Sequence, residues 1–445
     1  MNIRKIFRFP IYIVRRIMLA LYWRALIPYR YIRRLARSLF SYHWTGRRLK
    51  TIGRFKAITH ADATDLSIRS HVLREAEVVT YPAPTLFGVL PAGWSSPWPA
   101  VSAHLPALVA REWNNATILG KSDSIYVQEY AVRNDNINPA SEMTFDEVFG
   151  FLSLKKGKLI LRRFADQKDI QISNAITIIG GPTGNWAHWT TEYLPKLALL
   201  NLLGEYQEWP ILVDQNLHRN ILDSIHHICA GSREIIELPE GAAAHIENAV
   251  TVTSPGYTAY EYRYDKEKET PKFKREHTVF SPFSLTLLRQ RAWETTQSVP
   301  SPSKKIYITR PKGSMRPFVG SEVVESYFTS EGFDIIDTSM MSFKEQVQLF
   351  SRASVICGQS GAGLANIIFC PPGCDVIVLA ANSPHSIFHY FANMGAASGH
   401  RVHYCYGKSI YEPGGHPGHA GFSINIEDVK SSWESIKIKM TAELT

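Results

Sequence analysis

The residue types best suited to chemistry lie around two glycine-rich turns that are more than a hundred residues apart. The first turn, 180–184, is followed by His188 and Glu192, and the second turn spans 359–363. Each turn lies between an apolar strand and a predicted helix, an arrangement that directs backbone amides and a helix N-terminus at an anionic group. Two such units, joined by a polar stretch, indicate a cleft enzyme that handles a phosphorylated substrate.

Two arginines add positive charge ahead of the second turn. Arg310 and Arg316 follow an apolar strand that is predicted over 305–309. Guanidinium groups form forked pairs of hydrogen bonds with phosphate oxygens, so these side chains can clamp a diphosphate. The alternative for either arginine is a salt bridge on the surface between two lobes.

An alternation of short strands and helices must position these residues. The first unit is predicted to contain strands at 175–179, 211–214, 234–237 and 249–252, with helices at 188–203 and 216–230. The second unit is predicted to contain strands at 305–309, 333–336, 354–358 and 375–379, with helices at 321–330 and 342–353, the latter opening on a capping box. Right-handed crossovers then give parallel sheets with the ligand at the carboxyl ends of the strands. We therefore expect an α/β protein with two Rossmann-like lobes.

The length of 445 residues favours two domains with appendages, because single cores rarely grow to this size. The expected division is a basic helical arm at 1–56, an N-terminal lobe at 57–290, a C-terminal lobe at 300–405 and a tail at 406–445. The N-terminal lobe is expected to begin with a β-rich region that ends at about residue 170. We find no motif that carries chemistry in that region.

The positive charge of the chain is concentrated in the arm. Residues 1–56 contain 15 Lys or Arg and no Asp or Glu, so the rest of the chain has 34 basic and 40 acidic residues. Arginines interrupt the apolar run at 11–27, and an arginine at mid-membrane costs at least ~2.5 kcal/mol, so we do not expect a membrane span. An apolar face backed by arginines fits a helix on an anionic membrane leaflet. A transit peptide, a nucleic-acid-binding arm and a helix docked on a neighbouring domain are the alternatives.

The five cysteines do not indicate a metal site or a disulfide framework. Only Cys370 and Cys374 are closely spaced, and no second pair of ligands accompanies them. Buried free thiols in a reducing compartment are favoured instead. Together with the arm, they predict a cytoplasmic protein that associates peripherally with the inner membrane. No Asp-x-Asp pair lies in a plausible site, so we expect no metal and no tightly bound cofactor.

Several motifs in a fixed order resemble glycosyltransferase family 61. The residues that carry the resemblance are His188-Trp189, Glu192, Leu194-Pro195, Leu197, Tyr307-Ile308, Arg310, Arg316, Glu322, Gly332-Phe333, Ser342-Phe343, Glu345-Gln346, Leu349-Phe350, Ala353, Gly361-Ala362-Gly363-Leu364, Asn366, Phe369 and Pro371-Pro372-Gly373. The resemblance covers about residues 170–405. It implies a GT-B-like fold with two lobes, a nucleotide-sugar donor as co-substrate, a glycan acceptor and inversion at the anomeric carbon.

The resemblance also implies roles for the motif residues. His188 is expected to act as the general base or to position the acceptor, with Glu192 four positions later orienting it. The residues expected to bind the donor are Arg310, Arg316, Gln346, Ser360, Gly361, Ala362, Gly363 and Asn366. A helix-capping role is the alternative for His188. Gln346 can instead cap the core, and Asn366 can hold the turn.

The chain departs from the family pattern at three positions. Ser360 stands where a histidine usually precedes Gly-Ala-Gly, Ser321 stands where an asparagine is common, and Val378 stands where an acidic residue is frequent. Two hypotheses follow. One is a hexosyl- or pentosyltransferase of capsular or surface polysaccharide synthesis, and the other is a non-catalytic, membrane-associated relative that binds polysaccharide. The glycine spacing excludes a nicotinamide-dependent oxidoreductase, and no nucleic-acid partner is expected.

Overall fold

A computed structural model describes residues 47–90, 99–137, 142–155, 157–259, 261–262, 278–311, 315–383, 389–411 and 420–442. Most of the predicted arm, including its helix, lies outside these residues. Its last part differs from the prediction, because the chain from Leu49 onward forms a β-strand. Among the helices of the described ranges, none combines the length and the apolar character needed to cross a membrane.

The strands divide between two large sheets and three short pairs. In chain order they are β1 (Leu49–Thr59), β2 (Ser67–Arg74), β3 (Glu77–Tyr81), β4 (Thr85–Gly88), β5 (Val101–Leu105), β6 (Leu108–Leu119), β7 (Ile125–Val127), β8 (Tyr130–Arg133), β9 (Glu142–Met143), β10 (Leu152–Lys155), β11 (Lys158–Phe164), β12 (Ile170–Ile178), β13 (Ile211–Asp214), β14 (Ile235–Leu238), β15 (Ala243–Val252), β16 (Gly256–Thr258), β17 (Glu261–Tyr262), β18 (Thr278–Phe280), β19 (Lys304–Ile308), β20 (Phe318–Val319), β21 (Asp334–Ile336), β22 (Ala353–Gln359), β23 (Asp375–Ala381), β24 (Arg401–Ile410) and β25 (Gly421–Ser423).

The helices lie mainly between strands of the two large sheets. They are α1 (Phe145–Phe149), α2 (α-helical at Trp186–His188, π-helical at Trp189–Tyr193 and α-helical again at Leu194–Leu200), α3 (Arg219–Ile228), α4 (Pro282–Thr296), α5 (Ser321–Ser330), α6 (Phe343–Phe350), α7 (His389–Ala397) and α8 (Ile426–Ala442). Short 3-10 helices cover Ala61–Leu66, Thr338–Met340 and Ala362–Phe369. The predicted capping box is confirmed, since Ser342 and Glu345 exchange side-chain and backbone hydrogen bonds at the start of α6.

The first large sheet contains eleven described strands in the order β10-β11-β1-β8-β7-β6-β15-β12-β13-β14, with β2 also paired to β6. Strands β15, β12, β13 and β14 run parallel, and β1 and β8 form a further parallel pair. All four residues of β13 are buried, as expected for a parallel strand that is covered on both faces. The β-rich region before residue 170 is joined to the parallel strands in one sheet, because β6 pairs antiparallel with β15.

The second large sheet contains eight described strands in the order β20-β25-β24-β23-β22-β19-β21, with β4 also paired to β24. Strands β24, β23, β22, β19 and β21 run parallel, and the last four of these are the strands that the sequence predicts. Two boundaries differ from the expected division. Strand β4 comes from the predicted N-terminal lobe but pairs with β24. The predicted tail contributes β25 and α8, whose Val429, Trp433 and Ile436 are buried in the core of this sheet. Long-range strand pairing, rather than sequence continuity, therefore decides where these segments lie.

One apolar core connects the two sheets. It includes Leu194 and Leu197 of α2, Leu285 of α4 and Phe343 of α6, together with strand residues of both sheets. The helices between the sheets share this core, so α2 is held firmly between the two units that the sequence predicts. The five cysteines are free thiols.

Candidate functional site

The first glycine turn is shaped by close contacts with its own domain. A side chain at Gly180 would begin 2.1 Å from the hydroxyl of Tyr193, and one at Gly181 would begin 1.9 Å from the ring of Phe145. The Gly180 amide donates to Asp214 Oδ2 at 3.0 Å, and the Gly181 amide donates to Asp123 Oδ1 at 3.1 Å. These amides are therefore bound by carboxylates of the protein, which differs from the predicted anion-binding turn.

Helix α2 carries the predicted catalytic pair. Asn185 caps its start by accepting a hydrogen bond from the Ala187 amide at 3.0 Å. His188 Nδ1 and Glu192 Oε1 are 2.7 Å apart, and their side chains are only 19% and 10% exposed. Burial lowers the pKa of His188, but the negative charges of Glu192 and Asp123 outweigh it and raise the pKa above its ordinary value. The pair can thus take up a proton on the imidazole and hold the resulting charge.

A cavity of about 130 Å³ lies beside this pair. His188, Glu192, Tyr193 and Lys196 of α2 form one part of its wall, and Asp123 is another lining residue. Every lining residue lies between 60 and 258, so the cavity belongs to the eleven-stranded sheet and the loops around it. Arg310 and Arg316 do not line it. The cavity provides space for a small hydroxyl-bearing group within reach of His188.

Two further ionisable groups face the cavity. Burial and the charge of Asp146 raise the pKa of Asp123 to about 7, although hydrogen bonds from Tyr193 and from the Gly181 amide oppose the shift. Burial lowers the pKa of Lys196 to about 8, against the attraction of Asp123 and Glu192. Groups that titrate near neutral pH are concentrated at functional sites more often than elsewhere. The site therefore extends beyond the two residues that the motif predicts.

The predicted arginines converge at the second glycine turn. A side chain at Gly361 would begin 3.3 Å from the guanidinium carbon of Arg310. Arg316 Nη1 donates to the carbonyl oxygen of Ser360 at 3.3 Å. Arg310 Nη1 and Arg316 Nε are buried without a hydrogen-bond partner among the described residues. Burial lowers the pKa of both guanidinium groups, and the charge of Arg316 lowers that of Arg310 further. An anion at this position would satisfy both unpaired donors and offset the repulsion.

The backbone around these arginines is also specialised. Arg316 has a φ of +61°, in the left-handed region that residues other than glycine rarely adopt. The side-chain amide of Gln359 donates to the Arg316 carbonyl, which holds this conformation. Ser360 takes part through its backbone, since its amide donates to the carbonyl of Leu379 at 2.8 Å. Neither this bond nor the Arg316 bond depends on the side chain at position 360. Val378 is fully buried in β23, where an acidic residue would be costly.

The remaining predicted donor residues lie where the second turn contacts α2. Ala362 starts the 3-10 helix Ala362–Phe369, and a side chain at Gly363 would begin 2.8 Å from Thr338 Oγ1. Asn366 is fully buried, and its amide donates to Gln346 Oε1 at 2.8 Å and to the Gly363 carbonyl at 3.1 Å. Gln346 in turn donates to the carbonyls of Thr338 and Met341. These amides hold the turn, and a direct contact with a donor stays a prediction.

The two predicted stretches meet at a corner that is formed by Trp186, Phe343 and Asn366. The indole nitrogen of Trp186 donates to Asn366 Oδ1 at 3.0 Å, so the start of α2 is hydrogen-bonded to the second turn. The ring of Phe343 packs edge-on against that of Trp186, with centroids 6.1 Å apart. His188 lies two residues beyond this link. The structure therefore brings together the segments that carry His188 and the glycine turn of the arginines.

One family of known proteins matches part of the chain. The family profile described as Glycosyltransferase 61 matches residues 186–377, which include His188, both arginines and the second glycine turn. The match indicates a glycosyltransferase. More particularly, residues 186–377 are similar to glycosyltransferase family 61, and the resemblance seen in the sequence is confirmed. No curated protein matches the chain.

Sequence reasoning missed Asp123 and Lys196. Lys196 had a detectable signal, because it follows Glu192 by four positions just as Glu192 follows His188. Asp123 had none, since it lies in the loop between β6 and β7, more than fifty residues before the motif. Only the pairing of β6 with β15, which itself pairs with β12, brings that loop to the first glycine turn.

Proposed function

We propose that this protein is an inverting glycosyltransferase that moves a hexosyl or pentosyl group from a nucleotide sugar to a glycan acceptor. The observation that carries the proposal is the pair of half-buried arginines at the second glycine turn, beside the segment that holds His188. Each arginine has one buried nitrogen without a hydrogen-bond partner among the described residues. Such donors suit the pyrophosphate of a nucleotide sugar, whose negative charge grows as the bond to the sugar breaks.

The proposed reaction assigns a separate role to each side of the corner. Arg310 and Arg316 hold the pyrophosphate and stabilise the departing nucleoside diphosphate. The acceptor hydroxyl approaches from the cavity side and loses its proton to His188 Nε2 as its oxygen attacks the anomeric carbon. Glu192 accepts the Nδ1 hydrogen bond and stabilises the imidazolium that forms. The arginines replace the metal that neutralises phosphate charge in many transferases. In the described ranges, no three His, Cys, Asp or Glu side chains are arranged to bind a metal ion.

The architecture that we propose for this reaction is GT-B-like. The eleven-stranded and eight-stranded sheets correspond to two lobes, with the acceptor on the first and the donor on the second. We further propose a role in capsular or surface polysaccharide synthesis, with the basic residues of 1–56 attaching the protein to the anionic inner face of a membrane. The arginine-rich composition of the arm supports this attachment.

The test is release of nucleoside diphosphate from a panel of nucleotide sugars, with and without glycan acceptors. General bases contribute about 10²–10⁴-fold to a rate, so His188→Ala should lose roughly that factor in turnover while calorimetry shows retained donor binding. His245→Ala is a matched control, because His245 lies on β15 and does not line the cavity. If the unmodified protein bound its ligands but showed no turnover, the hypothesis of a non-catalytic polysaccharide-binding protein would be favoured. Unchanged turnover in His188→Ala would show that His188 is not the base.

A further inference from the structure

Asp123 occupies an unusual position relative to the catalytic helix. Its Oδ1 accepts a hydrogen bond from the Gly181 amide at 3.1 Å and another from the Tyr193 hydroxyl at 2.8 Å. Gly181 lies before α2, and Tyr193 ends the π-helical segment of that helix. A single carboxylate oxygen from a distant loop therefore connects the two ends of the segment that carries His188 and Glu192.

The segment that Asp123 connects has irregular geometry. Residues Trp189–Tyr193 form a π-helical turn, a rare conformation that occurs most often at functional sites. All five residues of this turn are buried. A π-helical turn changes the direction of the side chains that follow it, so the 2.7 Å approach of His188 to Glu192 depends on keeping this turn in place. The bond from Tyr193 to Asp123 restrains the turn at its last residue.

Asp123 also acts on the pair through its charge. The negative charges around His188 are those of Glu192 on its own helix and Asp123 on the facing loop, and both favour the protonated imidazole. The ring of Tyr390 from α7 packs against His188 with centroids 6.0 Å apart. Asp123 itself is faced by Asp146 of α1 and by Glu192, Tyr193 and Lys196 of α2. The other ionisable residues that line the cavity are His60, Arg133 and Tyr257.

We propose that Asp123 is a positioning residue for the His188–Glu192 pair, which it holds through the bonds to Gly181 and Tyr193 and biases through its negative charge. This inference rests on the proposed function for its catalytic meaning. The coupling between Asp123 and His188, however, can be measured whether or not turnover is detected.

Substitutions can separate the bonds from the charge. In Asp123→Asn the amide oxygen still accepts the two hydrogen bonds, but the negative charge is lost. Asp123→Ala removes the hydrogen bonds as well as the charge. Asp214→Asn is the matched control, because Asp214 is a buried carboxylate that accepts a hydrogen bond from the amide of Gly180, the residue before Gly181. Asp214 is not among the charges that shift the pKa of His188.

The primary measurement is the titration of the His188 ring by NMR in the full chain labelled at histidine, with the signal identified by its absence in His188→Gln. We expect the midpoint to move to lower pH in Asp123→Asn and to stay unchanged in Asp214→Asn. An unchanged midpoint in Asp123→Asn, or an equal shift in Asp214→Asn, would overturn the proposal. Because this readout needs no substrate, failure of the proposed function and failure of the coupling give different results.

A second measurement covers the case in which Asp123→Asn does not fold. The Tyr193 hydroxyl stabilises the ionised form of Asp123, so Tyr193→Phe should raise the pKa of Asp123 and shift the His188 midpoint to lower pH by a smaller amount. Absence of that shift would count against the proposal. Where turnover is measurable, Asp123→Ala should lower kcat on the order of 10²-fold, the effect of a misplaced catalytic group. Asp123→Asn should recover part of that loss, and equal kcat for the two variants would contradict the positioning role.

Discussion

Arg310→Met is the sharpest test of the donor site. Methionine keeps an unbranched stem against Gly361 but removes the guanidinium group. No described residue accepts a hydrogen bond from Nη1 of Arg310, and burial and the charge of Arg316 both disfavour the charged side chain. Removing it should therefore cost the free protein little stability. Any effect on the complex with a nucleoside diphosphate then reports a contact that forms only with the ligand.

The size of the effect follows from the number of donors lost. A hydrogen bond that involves a charged group contributes about 1.5–3 kcal/mol, so losing one should weaken binding roughly 10- to 150-fold. At a ligand concentration of about 100 times its Kd, the unmodified protein gains ~2.7 kcal/mol of stability. The same concentration should stabilise Arg310→Met by only ~0.3–1.4 kcal/mol.

The assay is urea unfolding with and without the nucleoside diphosphate that binds best in the panel. Arg69→Met is a suitable control, since Arg69 is exposed and forms an ion pair with Glu205 at 2.5 Å on the other sheet. It should retain the full ligand-induced stabilisation. If Arg310→Met were stabilised as strongly as the unmodified protein, the arginines at the second glycine turn could not be the diphosphate site.

Two further predictions concern the catalytic helix and its link to the turn. Glu192 raises the pKa of His188, and His188 can act as a general base only when its imidazole is neutral. Glu192→Gln should therefore shift the acid limb of the pH profile of kcat to lower pH. An acid limb at the same pH would contradict this prediction. Trp186→Phe should lower the free energy of unfolding by about 1–3 kcal/mol in urea, since Asn366 Oδ1 loses its buried donor. Trp209→Phe, for whose indole no bond is described, should cost less.

The elements that sequence reasoning predicted well are those determined by local interactions. After Asp375 the run to Leu379 is continuously apolar and its first three residues are β-branched, and β23 forms there with every residue buried. The capping box at Ser342 depends on side chains three positions apart, and it is present. Gly332 ends α5 with a φ of +79°, as a glycine after a helix should. Each of these features follows from a few neighbouring residues.

The features that could not be predicted depend on distant pairing. Strand β4 has only four residues, and nothing in Thr85–Gly88 indicates that it pairs with β24 some three hundred positions later. The glycine-rich turn at 180–184 predicted backbone amides that are directed at an anionic group. The sequence could not show that the anionic groups are Asp214 and Asp123 from elsewhere in the same domain. The glycine spacing therefore predicts a turn whose amides bind an acceptor, whereas the identity of that acceptor requires the fold.

The corner between α2 and the second turn limits how the two sheets can move. Asn366 is fully buried and binds Trp186 on one side and Gln346 on the other. Nearby, the Asn220 side chain donates to the Met341 carbonyl at 2.7 Å across the same junction. Separating the sheets here would leave several buried polar groups unpaired, at about 1–3 kcal/mol each. Movement of one sheet relative to the other is therefore opposed at this corner, where the start of α2 is bonded to the second glycine turn.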